Sequence, residues 1–309
     1  MRVFVTGATG ALGRHLVPGL VAAGHEVTAT TRSPAKVAGL RAAGADAVFV
    51  VDGLDREALI EAVCHAAPEV IVHQMTALAA MRSLRRVDQE FAATNALRTR
   101  GTDNLLEAAR LANTPRVVAQ GHNFVYEQTG GPVKTETDPI VEHPIPAAAQ
   151  TLAAIKYVDR IVPQRAPEGI VLRYGTFYGP GASEPMLDGI RKRQVPIIGA
   201  GTGVWSFIEV SDAAAATLAA VERGEPGVYN VVDDDPAPVA QWLPYLAEVA
   251  GAKPPLHLPA WLARPLAGPF VVAQMTTARG ASNEKARKKL GWVPRYPSWR
   301  EGFRAWVNA

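Results

Sequence analysis

Cysteine is almost absent from the sequence, and neither sign of charge predominates. Among 309 residues only Cys64 is a cysteine, which excludes a disulfide within the chain and makes a cysteine-based metal cluster unexpected. The 32 basic and 29 acidic side chains leave a net charge of +3. A nucleic-acid-binding domain normally carries a larger basic excess, so we expect no nucleic-acid partner. From the single cysteine we also expect no metal.

Long hydrophobic runs are also missing. No segment reaches the about 18 uncharged apolar residues that a membrane-spanning helix needs. The residues before Gly7 lack the apolar run and small-residue cleavage site of a secretory signal. We therefore expect a cytoplasmic protein without a membrane partner. Hydrophobic residues nevertheless make up 48% of the chain, which is enough for a large core.

Up to Tyr178, short runs rich in Val and Phe alternate with alanine-rich stretches of helical spacing. This alternation is typical of βαβ units, which form a parallel sheet with helices on both faces. We therefore predict an α/β fold with a doubly wound parallel sheet. The predicted strands cover residues 3–6, 27–31, 47–51, 70–73, 117–120 and 170–174. The predicted helices cover residues 12–23, 56–66, 91–112 and 151–164.

The pattern changes after Tyr178, where Gly179-Pro180-Gly181 interrupts the alternation. Short strands are predicted around residues 196–198, 207–210 and 228–231, and helices over 212–222 and 241–250. The proline-rich stretch 253–269 is predicted to be a loop. We predict one domain over residues 1–178 and a smaller C-terminal subdomain, mostly residues 179–309, with residues 207–232 able to return to the first domain.

A glycine-rich turn follows the first predicted strand and opens the first predicted helix. Gly7 permits a tight turn, Gly10 allows the backbone to approach a pyrophosphate, and Gly13 allows the helix to pack on the strand. The helix N-terminus offers free N–H groups and a positive dipole end to phosphates. We therefore predict dinucleotide binding by a Rossmann-like domain. The turn residues expected to contact the cofactor are Gly7, Thr9, Gly10, Ala11, Leu12 and Gly13.

The end of the second strand indicates which dinucleotide binds. NAD enzymes usually hold the ribose 2′-hydroxyl with an acidic residue there, whereas this sequence has Arg32 and Ser33. A guanidinium pairs well with a 2′-phosphate, so we predict NADPH as the cofactor. Asp52 either contacts the adenine amino group or caps a turn. Further cofactor contacts are expected at the ends of other strands, from Gly53, Gln74, Met75, Gly175 and Thr176.

Five further segments carry a family resemblance. Residues 95–109 combine an Asn with Gly-Thr-x-Asn-Leu-Leu-Glu-Ala-Ala, and residues 172–180 contain Arg-Tyr-Gly-Thr-Phe-Tyr-Gly-Pro. Residues 207–212 and 229–231 follow in order, and 290–294 read Leu-Gly-Trp-Val-Pro. With the glycine turn, these segments resemble the extended short-chain dehydrogenase/reductases, in the epimerase/dehydratase branch. Among them the chain looks like the angucyclinone-type polyketide ketoreductases of actinomycete antibiotic pathways.

The resemblance fails at the catalytic pair. The family places a Tyr four residues before a Lys, and none of the seven tyrosines here has a Lys at that spacing. Alignment places Thr151 at the Tyr position and Ile155 at the Lys position, and His122 stands where the family usually has a hydroxyl. His122 is either a replacement proton donor or a neutral, hydrogen-bonded histidine. Tyr126 either orients the substrate or packs in the pocket wall.

The substrate side of the sequence is aromatic. Members that act on sugar nucleotides commonly carry an Arg that grips the substrate diphosphate, and the matching position here is Trp205. We therefore expect an apolar cleft in the C-terminal subdomain, with some of the aromatic residues in the core instead. The candidate substrate contacts are Phe124, Tyr126, Tyr174, Phe177, Tyr178, Met186 and Trp205.

These observations favour an NADPH-dependent ketoreductase for a bulky aromatic, polyketide- or quinone-like substrate. Without the usual Tyr and Lys, a phenol of the substrate would share the developing negative charge. Two other hypotheses remain open. One is a non-catalytic NADP(H)-sensing regulator. The other is a sugar-nucleotide epimerase or dehydratase, which the missing pair and Trp205 disfavour. The resemblance also implies a homodimer formed through the helices that follow the fourth and fifth strands.

Overall fold

A computed structural model describes residues 1–78 and 84–308. Seven parallel strands form one large sheet, in the order β12-β7-β5-β4-β1-β2-β3. Its strands are β1 (Arg2–Thr6), β2 (Glu26–Thr31), β3 (Ala47–Val50), β4 (Val70–His73), β5 (Arg116–His122), β7 (Glu168–Tyr174) and β12 (Gly227–Val231). Shorter strands form two-stranded pairs: β6 (Val133–Lys134), β8 (Thr176–Tyr178), β9 (Ile197–Ile198), β10 (Val204–Trp205), β11 (Phe207–Glu209), β13 (Ala237–Pro238), β14 (His257–Leu258) and β15 (Gly280–Ala281).

Helices cover both faces of the sheet and build most of the C-terminal part. In the first half they are α1 (Gly13–Ala22), α2 (Val37–Ala42), α3 (Arg56–Ala66), α4 (Val87–Glu90), α5 (Ala92–Ala96), α6 (Thr102–Leu111) and α7 (Ala149–Arg165). In the second half they are α8 (Glu184–Arg191), α9 (Val210–Glu222), α10 (Val239–Val249), α11 (Ala260–Ala267), α12 (Pro269–Thr276), α13 (Glu284–Leu290) and α14 (Trp299–Val307). In the part of the chain that the structure describes, no helix is long and apolar enough to cross a membrane.

Strand register places the ends of five strands at one edge of the sheet. Thr6 pairs with His73, and His122 pairs with Tyr174. Val231, at the end of β12, also pairs with Tyr174. Because all these strands run parallel, their carboxyl ends and the loops that follow them share this edge, which is where ligands bind in open α/β sheets. The predicted Rossmann-like α/β fold is confirmed.

Two layers of helices bury the apolar faces of the sheet. On one face Leu16, Val17 and Leu20 of α1 pack with the alanine-rich α9, where small side chains let two helices approach closely. On the other face Leu59 of α3 and Leu105 of α6 pack against the sheet. The alanine-rich composition of the helical stretches thus serves close packing between layers.

The C-terminal part has a separate aromatic core. Trp242 of α10 and Trp299 and Phe303 of α14 are fully buried there, together with Phe207 of β11. Tyr178 belongs to the same core: its ring is fully buried and lies 5.0 Å from that of Phe303. Such large aromatic side chains bury much apolar surface per residue, which explains why they hold together a region with only short strands.

Two secondary-structure predictions are wrong. Residues 253–269 were predicted to be loop, yet they contain β14 and α11. Pro259 caps α11 and Pro269 begins α12, positions where proline is compatible with a helix because no N–H partner is needed. The single helix predicted over residues 91–112 is divided by a π-helical turn, Leu97–Gly101. Turns of this kind are rare and commonly lie at functional sites.

We predict that Gly302→Ala destabilises the C-terminal core. A Cβ at Gly302 would lie 1.8 Å from the hydroxyl of Tyr178, whose buried ring has no space to move. Overpacking of this kind costs about 1–3 kcal/mol, measurable by urea unfolding. The control is Gly19→Ala on α1, where a Cβ meets no atom within 4 Å, and where Ala stabilises a helix by up to about 1 kcal/mol. An unchanged free energy of unfolding in Gly302→Ala would contradict the packing described.

Candidate functional site

The glycine-rich turn has the geometry of a phosphate-binding loop. Gly7 has a φ of +73°, and a Cβ there would lie 2.2 Å from the carbonyl oxygen of Gln74. A Cβ at Gly13 would lie 2.3 Å from the carbonyl oxygen of Ala8. Gly10 closes the turn by donating its N–H to the Gly7 carbonyl at 3.0 Å, and it is exposed at the N-terminus of α1. The loop therefore leaves an open backbone surface, which fits the pyrophosphate of a dinucleotide.

Arg32 and Ser33 follow β2 at the same edge of the sheet. The Arg32 guanidinium is 60% exposed and lies 4.0 Å from the Asp52 carboxylate. Asp52 also accepts the N–H of Leu54 at 2.9 Å, so it caps the turn after β3. An exposed pair of this kind contributes little to stability. The guanidinium is thus free to change partners and meet a ribose phosphate.

The other predicted cofactor residues lie where their strands end, and at two of these positions the packing favours glycine. A Cβ at Gly53 would lie 2.2 Å from the sulfur of Met75, so glycine leaves room for the Met75 side chain. A Cβ at Gly175 would lie 2.7 Å from the Ser206 carbonyl oxygen. Gln74 is buried and donates to the Tyr174 hydroxyl at 3.3 Å. The residues at this edge fit a dinucleotide laid across the ends of the strands.

The residue at the family's Tyr position is part of a structural brace. Thr151, near the start of α7, donates its hydroxyl and its backbone N–H to one Asp88 oxygen, both at 2.8 Å. The hydroxyl also accepts from the Asn95 amide at 3.1 Å. A carboxylate at a helix N-terminus satisfies free N–H groups there. Thr151 therefore ties α7 to α4 and α5 and has no hydroxyl hydrogen left for a substrate.

The residue at the family's Lys position lies in an apolar cluster. Ile155 is 4% exposed and packs with Val125, Val232 and Ala281. A lysine here would have to bury an ammonium group in that cluster, which is costly without a partner. The neighbouring Lys156 points elsewhere and donates to the Val141 carbonyl at 2.8 Å.

Tyr126 is tied into a buried polar network. Its hydroxyl donates to Asn230 at 2.7 Å and accepts from the Arg173 guanidinium at 2.9 Å. Arg173 also donates to Asp159 at 2.9 Å, and both side chains of this ion pair are 5% exposed. Burial raises the pKa of Tyr126 to about 12. The hydroxyl hydrogen of Tyr126 is already given to Asn230, so the structure favours a buried structural role for Tyr126 over the predicted role of orienting a substrate.

His122, the other candidate proton donor, is held neutral. Its ring stacks on Phe124 with centroids 4.0 Å apart, and its Nδ1 accepts the Phe124 N–H at 3.3 Å. Burial and the charge of Arg98 lower the pKa of His122 to about 3. His73 is neutral for the same reasons, with its pKa lowered to about 4. A neutral imidazole can donate a hydrogen bond at neutral pH, but it is not an acid.

Arg98 was not singled out by the sequence, although its charge adds to the effect of burial on both histidines. It lies in the π-helical turn and is 3% exposed, and burial lowers its pKa to about 10. Its Nη1 atom has no hydrogen-bond partner among residues 1–78 and 84–308. An arginine within a helical pattern ordinarily indicates a solvated face. The burial of Arg98 is therefore visible only in the three-dimensional packing. The buried Asp159, which partly balances its charge, was also missed.

Two of the candidate substrate contacts, Phe124 and Trp205, lie together with a third ring that the sequence did not indicate, Phe270, and we call these three rings the aromatic wall. Phe124 lies 6.3 Å from both Trp205 and Phe270, measured between ring centroids. Phe270 was missed because its segment lies beside the stretch predicted to be loop. Phe177 is partly exposed and packs on Tyr174 with centroids 5.2 Å apart. These rings can accept a flat aromatic ligand.

Three predicted substrate contacts lie elsewhere. Tyr178 is part of the C-terminal core, so its assignment to the cleft is corrected. Tyr174 is 1% exposed and hydrogen-bonds Gln74 and Thr217 beneath the site, so it supports the floor and contacts no ligand. Met186 packs against the C-terminal core. Sequence alone could not separate these cases, because both core and cleft use apolar aromatic side chains.

Comparison with known proteins identifies relatives along the whole chain. The model of the NAD dependent epimerase/dehydratase family matches residues 3–231. A 3-diazoavenalumate denitrifying reductase from a Streptomyces species is 48% identical over 308 residues, which cover 98% of this chain and 99% of that protein. A 4-hydroxy-2-methyl-3-oxo-4-farnesyl-3,4-dihydroquinoline-1-oxide ketoreductase from Stigmatella aurantiaca is 32% identical over 263 residues, 82% of this chain and 74% of that protein.

Solved structures share the fold at lower identity. The UDP-glucose 4-epimerase of Thermotoga maritima, solved with UDP-glucose, is 23% identical with a TM-score of 0.78, covering 100% of this chain and 98% of its own. A human epimerase family protein solved with NADPH is 20% identical with a TM-score of 0.75, covering 100% of this chain and 99% of its own.

We predict that His73 makes the protein less stable as the pH falls. Its pKa is about 4 in the folded protein and ordinarily 6.5, so between these values the unfolded chain binds the proton more strongly. The free energy of unfolding should therefore drop by about 2 kcal/mol between pH 7 and pH 5 through this residue. Urea unfolding of His73→Gln should show a smaller acid-induced loss than the parent. The exposed His257→Gln serves as the control and should behave like the parent. An equal loss in His73→Gln would show that His73 is not held neutral.

Proposed function

The chain belongs to the NAD dependent epimerase/dehydratase family, and we propose that it is an NADPH-dependent reductase that removes the diazo group of an aromatic substrate. The 48% and 32% identical relatives are both named as reductases, and the protein is an oxidoreductase. This supports an enzyme over a purely sensory role. The proposal adds the cofactor preference and the kind of acceptor.

The observation that carries the proposal is that, among the described residues, none of the candidates at the site is available as an acid. At the reacting edge of the sheet, Thr151 donates to Asp88 and Tyr126 donates to Asn230, and His122 is neutral. A general acid normally contributes about 10²–10⁴-fold to a reaction that needs a proton. Within the described residues, the site therefore suits a reduction that is complete once hydride has been delivered.

Reduction of a diazo group meets this requirement. Bound NADPH supplies a hydride, that is, two electrons and one hydrogen. An aryl diazonium cation that gains a hydride and loses dinitrogen yields the arene, so the carbon–nitrogen bond breaks, a carbon–hydrogen bond forms and no proton is consumed. If the substrate carries a phenolate, water can protonate it later. The name of the 48% identical relative describes a reductase that removes nitrogen from a diazo compound, which supports this acceptor.

A second candidate is the reduction of an aromatic ketone. The 32% identical relative is named as a ketoreductase of an oxygenated quinoline. Ketone reduction yields an alkoxide that needs a proton, and the protein provides no free acid at this edge in its described residues. The proton or its equivalent would have to come from a phenol of a polyketide- or quinone-like substrate beside the carbonyl.

The chain's own residues would position such a substrate. Phe124, Trp205 and Phe270 form the aromatic wall, and Trp205 is fixed because its indole N–H donates to the Gln274 carbonyl at 2.8 Å. The rings exclude water from the reacting edge and hold the acceptor flat. The neutral Nε2–H of His122 beside this wall is able to donate a hydrogen bond to the acceptor. A homodimer through the helices that follow β4 and β5 stays a prediction.

We predict turnover of a hydroxyaryl diazonium salt in preference to the matching hydroxyaryl methyl ketone. The full-length protein is mixed with NADPH and each compound, and loss of NADPH absorbance is followed with the dinitrogen released. One molecule of dinitrogen should appear for each NADPH consumed. A Trp205→Ala variant should lose most of the rate, because the wall no longer holds the ring. Reduction of the ketone alone would favour the second candidate, and turnover of neither would overturn both.

We predict that Arg32→Ala weakens NADPH binding and leaves NADH binding unchanged. A charge-assisted hydrogen bond to a phosphate contributes about 1.5–3 kcal/mol, which corresponds to an about 10- to 150-fold increase in Kd. Titration of the protein with each nucleotide, followed by fluorescence, measures both constants. Arg304→Ala on α14 removes an exposed charge elsewhere and is the control. An equal loss for both nucleotides would contradict recognition of a 2′-phosphate.

A further inference from the structure

Three residues that line one small cleft each have a buried side-chain atom without a hydrogen-bond partner among the residues that the structure describes. The atoms are Oδ1 of Asn123, Oε1 of Gln274 and Nε of Arg279. Asn123 is 2% exposed and Gln274 is 6% exposed. A buried polar atom without a partner costs about 1–3 kcal/mol, so three around one cleft indicate a ligand that the protein is built to receive.

The cleft lies directly beside the aromatic wall. Asn123 begins the short turn that follows β5, one residue before Phe124 of the wall. Gln274 lies in α12, the helix that carries Phe270, and its backbone carbonyl accepts the indole N–H of Trp205 at 2.8 Å. A ring seated on the wall can therefore extend a substituent into the cleft.

Arg279 gives the cleft its charge. Its Nη1 donates to the Thr277 carbonyl at 2.8 Å, which holds the guanidinium in place. Arg279 is the single charged side chain among the described residues that line the cleft, and it forms no ion pair with a described carboxylate. The cleft thus combines a fixed cation with the amides of Asn123 and Gln274. Rotation of either amide about its last bond presents an N–H donor to an anion.

The size of the cleft limits what can enter. Its free space admits about one water-sized group, so a terminal oxygen of a substituent can enter the cleft and a ring cannot. Guanidinium and amide N–H groups are well matched to carboxylate oxygens. We propose that Arg279, Gln274 and Asn123 form a specificity subsite for the carboxylate of an aromatic carboxylic acid substrate. This inference rests on the proposed reduction of an aromatic acceptor and names its substrate class.

The experiment separates the carboxylate from the ring by using unreactive ligands. The full-length protein saturated with NADP⁺ is titrated with para-hydroxycinnamate and with its methyl ester, and binding is followed by tryptophan fluorescence and calorimetry. Both compounds offer the same ring and phenol. We expect the acid to bind the parent protein about 10- to 100-fold more tightly than the ester.

Arg279→Gln should weaken binding of the acid by a similar factor and leave binding of the ester unchanged, so the ratio of their affinities falls towards one. Arg279→Lys keeps a charge on the same loop and should restore part of the preference. Arg304→Gln removes an exposed charge on α14 and should leave both affinities as in the parent.

Equal binding of acid and ester to the parent protein would overturn the carboxylate subsite while leaving the aromatic wall supported. A parallel loss of both ligands in Arg279→Gln would overturn it too, because Arg279 would then act only on the structure of the loop. Binding of neither ligand would also overturn it. In each case the proposed reduction is judged separately, by turnover of an aryl diazonium compound that carries no carboxylate.

Discussion

The buried ion pair between Asp159 and Arg173 is the constraint on which the site depends. Asp159 lies on α7 and Arg173 on β7, so the pair fixes that helix on the sheet beside the reacting edge. Arg173 then orders Tyr126, which reaches Asn230 on β12. Breaking a buried pair by removing one partner typically costs about 3–5 kcal/mol, because the other charge is left uncompensated. The floor of the site is therefore rigid, and the Tyr126 hydroxyl and the Asn230 amide oxygen are committed to each other.

This rigidity has an electrostatic consequence for catalysis. Arg98 adds a second buried cation, and with burial it keeps His73 and His122 neutral. A site whose histidines are neutral does not release protons near neutral pH. Among the described residues, an ordinary ketone would accept a hydride there without a free acid to protonate the resulting alkoxide. Such a site is compatible with acceptors whose reduction needs no proton from the protein. They either lose dinitrogen or carry a neighbouring phenol that shares the negative charge.

The local features of the fold could be predicted from the sequence, because they depend on nearby residues. The glycine turn, the βαβ alternation and the loss of the Tyr and Lys pair are each visible within a few positions. Arg98, Phe270 and Tyr178 were missed or misplaced because their surroundings come from distant segments. The rings of Phe270 and Phe124 are neighbours although more than a hundred residues separate them in the sequence. Tyr178 is buried by α14, which lies near the C-terminal end of the sequence. Periodicity cannot report such contacts, since it describes one element at a time.

The hydrogen bonds between Asp88 and Thr151 limit which substitutions the site can accept. Where the family resemblance places a catalytic tyrosine, this chain has a side chain that now joins three helices. A phenol there would remove the hydroxyl that Asp88 and the Asn95 amide bind, while the backbone N–H groups of residues 150 and 151 would still hold Asp88. An ammonium at position 155 would enter an apolar cluster. Restoring the pair therefore requires repacking at both positions, whereas the walls of the cleft can change without disturbing the start of α7.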